Sequence, residues 1–247
     1  MAKRLIRKCV ECRRIHQAKG ERQPEPPLPR IRIPSGALSP FRNLAIDVGG
    51  PFFTTEGRGK ALQKRYLLLF NCMHTRAVHA ELLFSLEADS FLMAFLRFMA
   101  LRGRPELVLS DNATNFRRGQ KEINAAIARA RQHESFSAIR WQFIPPHSQN
   151  WNGISERLIG SAKRALKSMI GEAPRTLEEL FTAFQEMAGF LKNRPLTFHS
   201  DDPNDLTPLT PNHFLFGTDY VSIGSTPVGE ISLSKRWLRT QRLNDLL

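Results

Sequence analysis

Between residues 44 and 193, short apolar runs alternate with stretches of helical period, and that order restricts the chain to an α/β architecture. LAIDVGG (44–50) and YLLLFNC (66–72) have the near-continuous apolar content of buried strands, and AVHAELLF (77–84) alternates like a third. LEADSFLMAFLRFMALRG (86–103) reads as a helix with Leu92, Phe95, Leu96 and Met99 on one side and Gly103 as its stop. PELVLSD (105–111) is a short strand ending in an acid, NFRRGQKEINAAIARARQ (115–132) a polar helix, and IRWQFIP (139–145) a fifth strand closed by Pro145 and Pro146. Two more helices are expected at about 154–170 and 176–193, and the stretch from Pro195 reads as Pro-rich and irregular. The whole predicts an α/β layer around a mixed sheet.

Two of these strands carry an acid where apolar residues are expected. A buried charge without a partner is costly, yet Asp47 interrupts LAIDVGG and Asp111 closes ELVLS. Each has a plain explanation: Asp47 as a strand-end residue before a Gly-Gly turn, Asp111 as part of an Asp-Asn turn. Glu156 is placed in the first turn of a helix, where the dipole favours negative charge anyway. Taken together the three say more. Two strand ends and a helix start converge only at one edge of a sheet, the usual place for sites in α/β proteins. Three acids gathered there repel unless cations neutralise them. Mg²⁺ and Mn²⁺ prefer oxygen ligands and stabilise attacking and leaving oxygens in phosphoryl transfer.

The helix that carries Glu156 has a second regularity. At 100° per residue, Glu156, Gly160, Lys163 and Lys167 fall within about 60° of one another. Ile154, Leu158, Ala162, Ala165 and Met169 lie on the opposite, core-facing side. A carboxylate thus leads a line of ammonium groups, with a glycine leaving room for a bulky ligand. The alternative is an ordinary amphipathic helix with Glu–Lys pairs on its wet face.

Charge agrees with a polyanionic partner. The 247 residues carry a net charge of +13. Residues 1–42 hold 11 Lys or Arg against 3 Glu, a balance of +8, and the other 205 residues hold 25 against 20, a balance of +5. A basic, Pro-rich arm therefore precedes a mildly positive body, and the arm alone is equally a solvated tail. No apolar run approaches the roughly 20 residues needed to span a bilayer. The basic N-terminus lacks an apolar signal region. Three cysteines make no disulfide framework, and reduced intracellular thiols are expected. His74, His79 and His147 pair with no Cys or Ser in a nucleophile spacing and read as surface or core-edge side chains. Trp151, in a QNWNG loop, stacks on a base or sugar or simply pins the loop.

SDNATNF (110–116), PPHSQNWNGISERL (145–158) and the Asp of LAIDVGGPF (44–52) together resemble the DDE catalytic core of retroviral and retrotransposon integrases. The stretch from Tyr66 to Phe116, with LTPLTPNHFLFG (206–217), is similar to the BEL/Pao group of LTR retrotransposons, over roughly residues 41–220. The resemblance implies an RNase H-like fold in which Asp47, Asp111 and Glu156 ligate two Mg²⁺ or Mn²⁺ ions. It implies DNA contacts at Asn115 and Lys163, to which the lysine line adds Lys167, with Arg164 and Trp151 beside it. The implied reaction removes a short piece from the 3′ end of element DNA, then uses the new 3′-OH to attack a target phosphodiester. Element and target DNA are the implied partners, with homo-oligomeric assembly, nuclear localisation and no small-molecule cofactor.

This sequence departs from the pattern in four places. Asp111 and Glu156 are 45 residues apart, longer than in retroviral integrases, as the BEL/Pao group also is. Ala113 stands where the family has Gly, which adds strain of order 1 kcal/mol if the position needs positive φ. Cys9 and Cys12 resemble half of a His-His-Cys-Cys zinc module whose histidines are missing, and two thiolates do not close a tetrahedral site. The chain also stops soon after KRWLRTQRL, which reads as a polyprotein fragment or a truncated copy. The expected organisation is a zinc-module remnant at 1–19, a linker at 20–40, the catalytic core at 41–195 and a C-terminal extension at 196–247. Two other functions fit the same residues: a DNA-binding protein of integrase fold that no longer cuts, and an RNase H-like nuclease.

Overall fold

The computed structural model describes residues 33, 36, 38–56, 61–111, 113–130, 138–144, 149–171, 174–198 and 207–218, with side chains omitted for residues 56, 126–130 and 149–156. The chain divides into two compact units, Met1–Ile33 and Pro34–Leu247, and the elements below belong to the second. Cys9, Cys12 and His147 lie outside the described residues, as does nearly all of the 20–40 linker.

Strands β1 (Asn43–Glu56), β2 (Ala61–Cys72), β3 (Val78–Leu83), β4 (Leu107–Ser110) and β5 (Arg140–Phe143) form one sheet in the order β3-β2-β1-β4-β5. The first three pair antiparallel, whereas β4 joins β1, and β5 joins β4, in parallel. This is the mixed five-stranded sheet that the residue pattern predicts. Helices α1 (Ala88–Arg102) and α2 (Thr114–Ala130) cover one face, and α3 (Gln149–Ile170) and α4 (Leu177–Lys192) the other.

Strand alternation sorts the core in two. Leu44, Ile46, Leu68, Phe70 and Val108 pack with Phe91, Phe95 and Phe98 of α1 and with Phe116 and Ile123 of α2. Leu67, Leu69, Val78, Ala80 and Leu82 pack with Leu158, Ala162, Leu166 and Met169 of α3 and with Leu180, Phe184 and Met187 of α4. A capping box starts α4: Thr176 Oγ1 accepts from Glu179 N at 3.2 Å while Glu179 Oε2 accepts from Thr176 N at 3.0 Å.

Four expectations change. Gly49-Gly50 is not a turn: β1 continues to Glu56, with a register shift between Gly49 and Phe52, and both halves pair with β2. A bulge absorbs the glycines, and Gly50 takes φ 134, a value its lack of a side chain permits. The core face of α1 is Ala88, Phe91, Ala94, Phe95 and Phe98, with Leu96 54% exposed. Helix α3 starts at Gln149, so Trp151 is on the helix rather than in a loop, and Glu156 is past its first turn. The stretch after Pro195 is not wholly irregular: β6 (Thr197–Phe198) pairs with β7 (Pro208–Leu209), and a short helix α5 (His213–Phe216) follows.

Candidate functional site

The register of β1 on β4 places the two aspartates. Ala45 pairs with Leu109, and Asp47 and Asp111 each lie two residues further along these parallel strands. Their backbones therefore stand abreast at neighbouring strand positions, about 4.8 Å apart in the hydrogen-bonding direction. Alternation also fixes the face. Leu44, Ile46 and Val108 point to α1 and α2, so Asp47 and, continuing β4, Asp111 point to the side of α3.

Helix α3 passes over β1 at Gly49. A Cβ built on Gly49 would lie 3.5 Å from Lys163 Cε and 3.7 Å from Ile159 Cδ1. Further along, Lys163, Leu166, Lys167 and Ile170 border Pro51–Phe53 in a cleft of about 270 Å³, so helix and strand run the same way. Glu156 precedes Ile159 by one turn, about 4.5 Å along the axis. Its backbone thus lies on the Asp47 side of the crossing. Its side chain is outside the described residues, as is that of Trp151. Among the described residues, no three His, Cys, Asp or Glu side chains gather to hold a metal. The carboxylates of Asp47 and Asp111 are oxygen donors of the kind that fits a hard cation such as Mg²⁺ or Mn²⁺.

The position of Glu156 weakens its plain explanation. No acid occupies the first turn of α3. The helix dipole acts within that turn, so it no longer accounts for Glu156.

Local hydrogen bonds hold the aspartates in place. Val48 N donates to Asp47 Oδ1 at 2.8 Å, and Ala113 N donates to Asp111 Oδ1 at 3.1 Å, an Asx-type turn. Ala113 also packs against the α1–α2 core, a contact that glycine would lack. The residue-pattern reading did not single out Ser110. Its hydroxyl, fully buried, donates to Asp111 O at 3.0 Å and accepts from Trp141 Nε1 at 2.9 Å. A lone polar residue inside an apolar four-residue strand was the available signal.

The remaining candidates divide. Lys163, Arg164 and Lys167 are exposed on α3, and Arg164 Nη2 donates to Ser161 Oγ at 3.1 Å. Among the described residues, a Cβ on Gly160 would meet Arg164 Nη1 at 3.9 Å, an ordinary contact. Asn115 is only 7% exposed. It lines a cavity of about 510 Å³ with Asp89, Thr114 and Arg118, so a ligand reaches it only by entering that cavity.

No family model matches the chain, and no curated protein matches it. Solved structures do. One is a chain of the simian T-cell lymphotropic virus intasome in complex with the PP2A regulatory subunit B56 gamma, with TM-score 0.52 and 16% identity over 95% of this chain and 72% of that one. The HTLV-2 integrase catalytic core domain in complex with magnesium matches at TM-score 0.46 and 17% identity, over 72% of this chain and 98% of that one. The BIV integrase catalytic core domain matches at TM-score 0.44 and 15% identity, over 70% and 93%. With the strand order above, the intasome likeness shows the fold: a mixed five-stranded sheet flanked by helices, of RNase H-like type. Among the described residues, no helix is long and apolar enough to cross a membrane.

Proposed function

We propose that this chain is the catalytic core of a retroelement integrase of BEL/Pao type, a polynucleotidyl transferase that processes and joins DNA ends. The observation that carries this reading is the register of Asp47 beside Asp111 on the face covered by the Glu156 helix. Asp47, Asp111 and Glu156 would hold two divalent cations, which neutralise charge on the attacking and leaving oxygens. The chain's own task is position. Ser110 and the Asx-type turn orient Asp111, and Lys163, Arg164 and Lys167 offer cations to phosphates leading away from the carboxylates. Asn115 and Trp151 are further DNA contacts in this reading, and DNA ends and target DNA are the partners.

The test is strand transfer on labelled DNA ends with Mg²⁺ or Mn²⁺, comparing the wild type with Glu156→Gln. Joining by the wild type alone supports the assignment. Equal joining by both would sink the three-carboxylate site. Joining by neither, with salt-sensitive DNA binding retained, would leave a DNA-binding protein of integrase fold.

A further inference from the structure

A second cationic surface lies at the end of the sheet remote from the aspartates. Met73 N donates to Asn43 O at 2.9 Å, which ties the β2–β3 turn to the start of β1. Asp47 is four strand residues further on, about 13 Å away. Around that starting end, Arg194 Nη2 donates to Arg76 O at 2.8 Å, joining the segment after α4 to the β2–β3 turn. Arg102, in the last turn of α1, lies 5.4 Å over the Phe41 ring, just before β1. Lys192, the last residue of α4, lies 5.7 Å over Phe216. Arg42, Arg104 and Arg140 flank the starts of β1, β4 and β5.

Among the described residues, this group includes the ion pair of Arg42 with Glu106. Glu106 is held by Arg42 at 2.7 Å, while Arg104 and Arg140 also act on it electrostatically. Among the described residues, no ion pair joins Arg102, Lys192 or Arg194 to an acid. Arg102 Nε is buried without a hydrogen-bond partner among the described residues. Burial lowers the Lys192 ammonium below its usual range, and the nearby Arg102 lowers it further. Burial likewise pushes Arg194 down to about 10, with Arg76 adding to it. The C-terminal dipoles of α1 and α4 favour cations here, but each supplies only about half a charge. Half-buried cations that repel one another cost stability unless an anion joins them.

We propose that this end of the sheet is a second nucleic-acid surface, on which Arg102, Lys192 and Arg194 take the phosphodiester backbone of a duplex separate from the strand at the carboxylates. The contact is to phosphates and carries no base information. It does not depend on the three-carboxylate assignment, because neither a metal nor any residue of that site takes part.

The test is duplex affinity against salt concentration for the wild type and the Arg102→Gln/Lys192→Gln double variant. Each phosphate neutralised contributes about 0.9 to the slope of log affinity against log salt. The double variant is expected to lower that slope by between about 1 and 2. Relief of repulsion should leave its Tm unchanged or raised, and this separates lost binding from lost folding. A slope equal to the wild type's would overturn the proposal, as would a loss of slope that appears only with a collapsed Tm. Lys163→Gln in the same assay reports on the α3 surface, so failure there and failure here are distinguishable. Tripolyphosphate is the second arm: if it displaces duplex from the Lys163→Gln protein as well as competing DNA does at equal phosphate concentration, a small polyphosphate and not nucleic acid is the occupant.

Discussion

Asp47 and Asp111 stand side by side because each lies two residues beyond the same parallel pair, Ala45 and Leu109. Two carboxylates in that position repel, and the repulsion falls when a cation enters or when one charge is removed. In the wild type, Mg²⁺ or Mn²⁺ should therefore raise Tm by binding the folded state. Asp111→Asn should keep the fold, lose the metal-dependent rise and reduce strand transfer on the order of 10²-fold or more. Thermal melts with and without metal check the first part. A rise of equal size in the variant would remove Asp111 from the site.

Ser110 acts on Asp111 through the backbone, since its hydroxyl bridges Asp111 O and Trp141 Nε1. Ser110→Ala removes a fully buried hydroxyl and leaves the indole N–H of the partly buried Trp141 without that partner, which costs about 1–3 kcal/mol. The expected result is a lower denaturation midpoint together with weaker metal binding, as the Asp111 turn loosens. A loss of stability alone, with metal affinity unchanged, would make Ser110 a core residue and nothing more.

Gly119 sets how closely α2 approaches α1. A Cβ there would lie 2.4 Å from Phe91 Cδ1 and 2.5 Å from Cε1, on a ring that is fully buried. Alanine gains up to about 1 kcal/mol in helix propensity, but overpacking a filled core costs about 1–3 kcal/mol. The ring has no room to retreat, since Phe95, Phe116 and Trp141 already touch it. Gly119→Ala should therefore lower Tm, and a double variant with Phe91→Leu should recover part of the loss. Denaturant titration of the three proteins decides it.

The sheet and the core face of α3 were legible in the residue pattern because each rests on a strong period. Leu158, Ala162, Ala165 and Met169 are buried as that pattern predicts, while Lys163 and Lys167 are exposed. Helix α1 failed for the opposite reason. It is apolar on several sides, with Met93 62% and Leu101 68% exposed, so periodicity alone selects no face. Its face was decided by ring packing, notably Phe98 stacked on Phe70 at 4.2 Å. The length of β1 was hidden by Gly49-Gly50-Pro51, which signals a turn locally but here carries a bulge that only pairing with β2 reveals. The basic end of the sheet was not legible at all. Its cations come from the β2–β3 turn, the ends of α1 and α4 and the starts of three strands, and only the fold gathers them.

Glu81 ties the edge strand β3 to α1. The buried carboxylate takes His79 Nε2 at 3.1 Å and Arg97 Nε at 2.8 Å, and the imidazole lies beside the stacked Phe70 and Phe98 rings. Burial alone would raise its pKa, but hydrogen bonds from His79 and Arg97, with the charge of Arg97, outweigh burial and hold it below 4.5. A carboxyl whose folded pKa is depressed contributes stability that is present above the unfolded value. That contribution is lost as pH falls through the folded value. The stability gap between wild type and Glu81→Gln should therefore be constant near neutrality and narrow as pH drops below about 4.5. Urea midpoints at pH 7 and through the acid range measure that gap directly. The comparison cancels the titration of Glu106 and other surface acids, which both proteins share. A gap that stays constant into the acid range would mean that the β3–α1 contact rests on packing around His79 and not on the charge of Glu81.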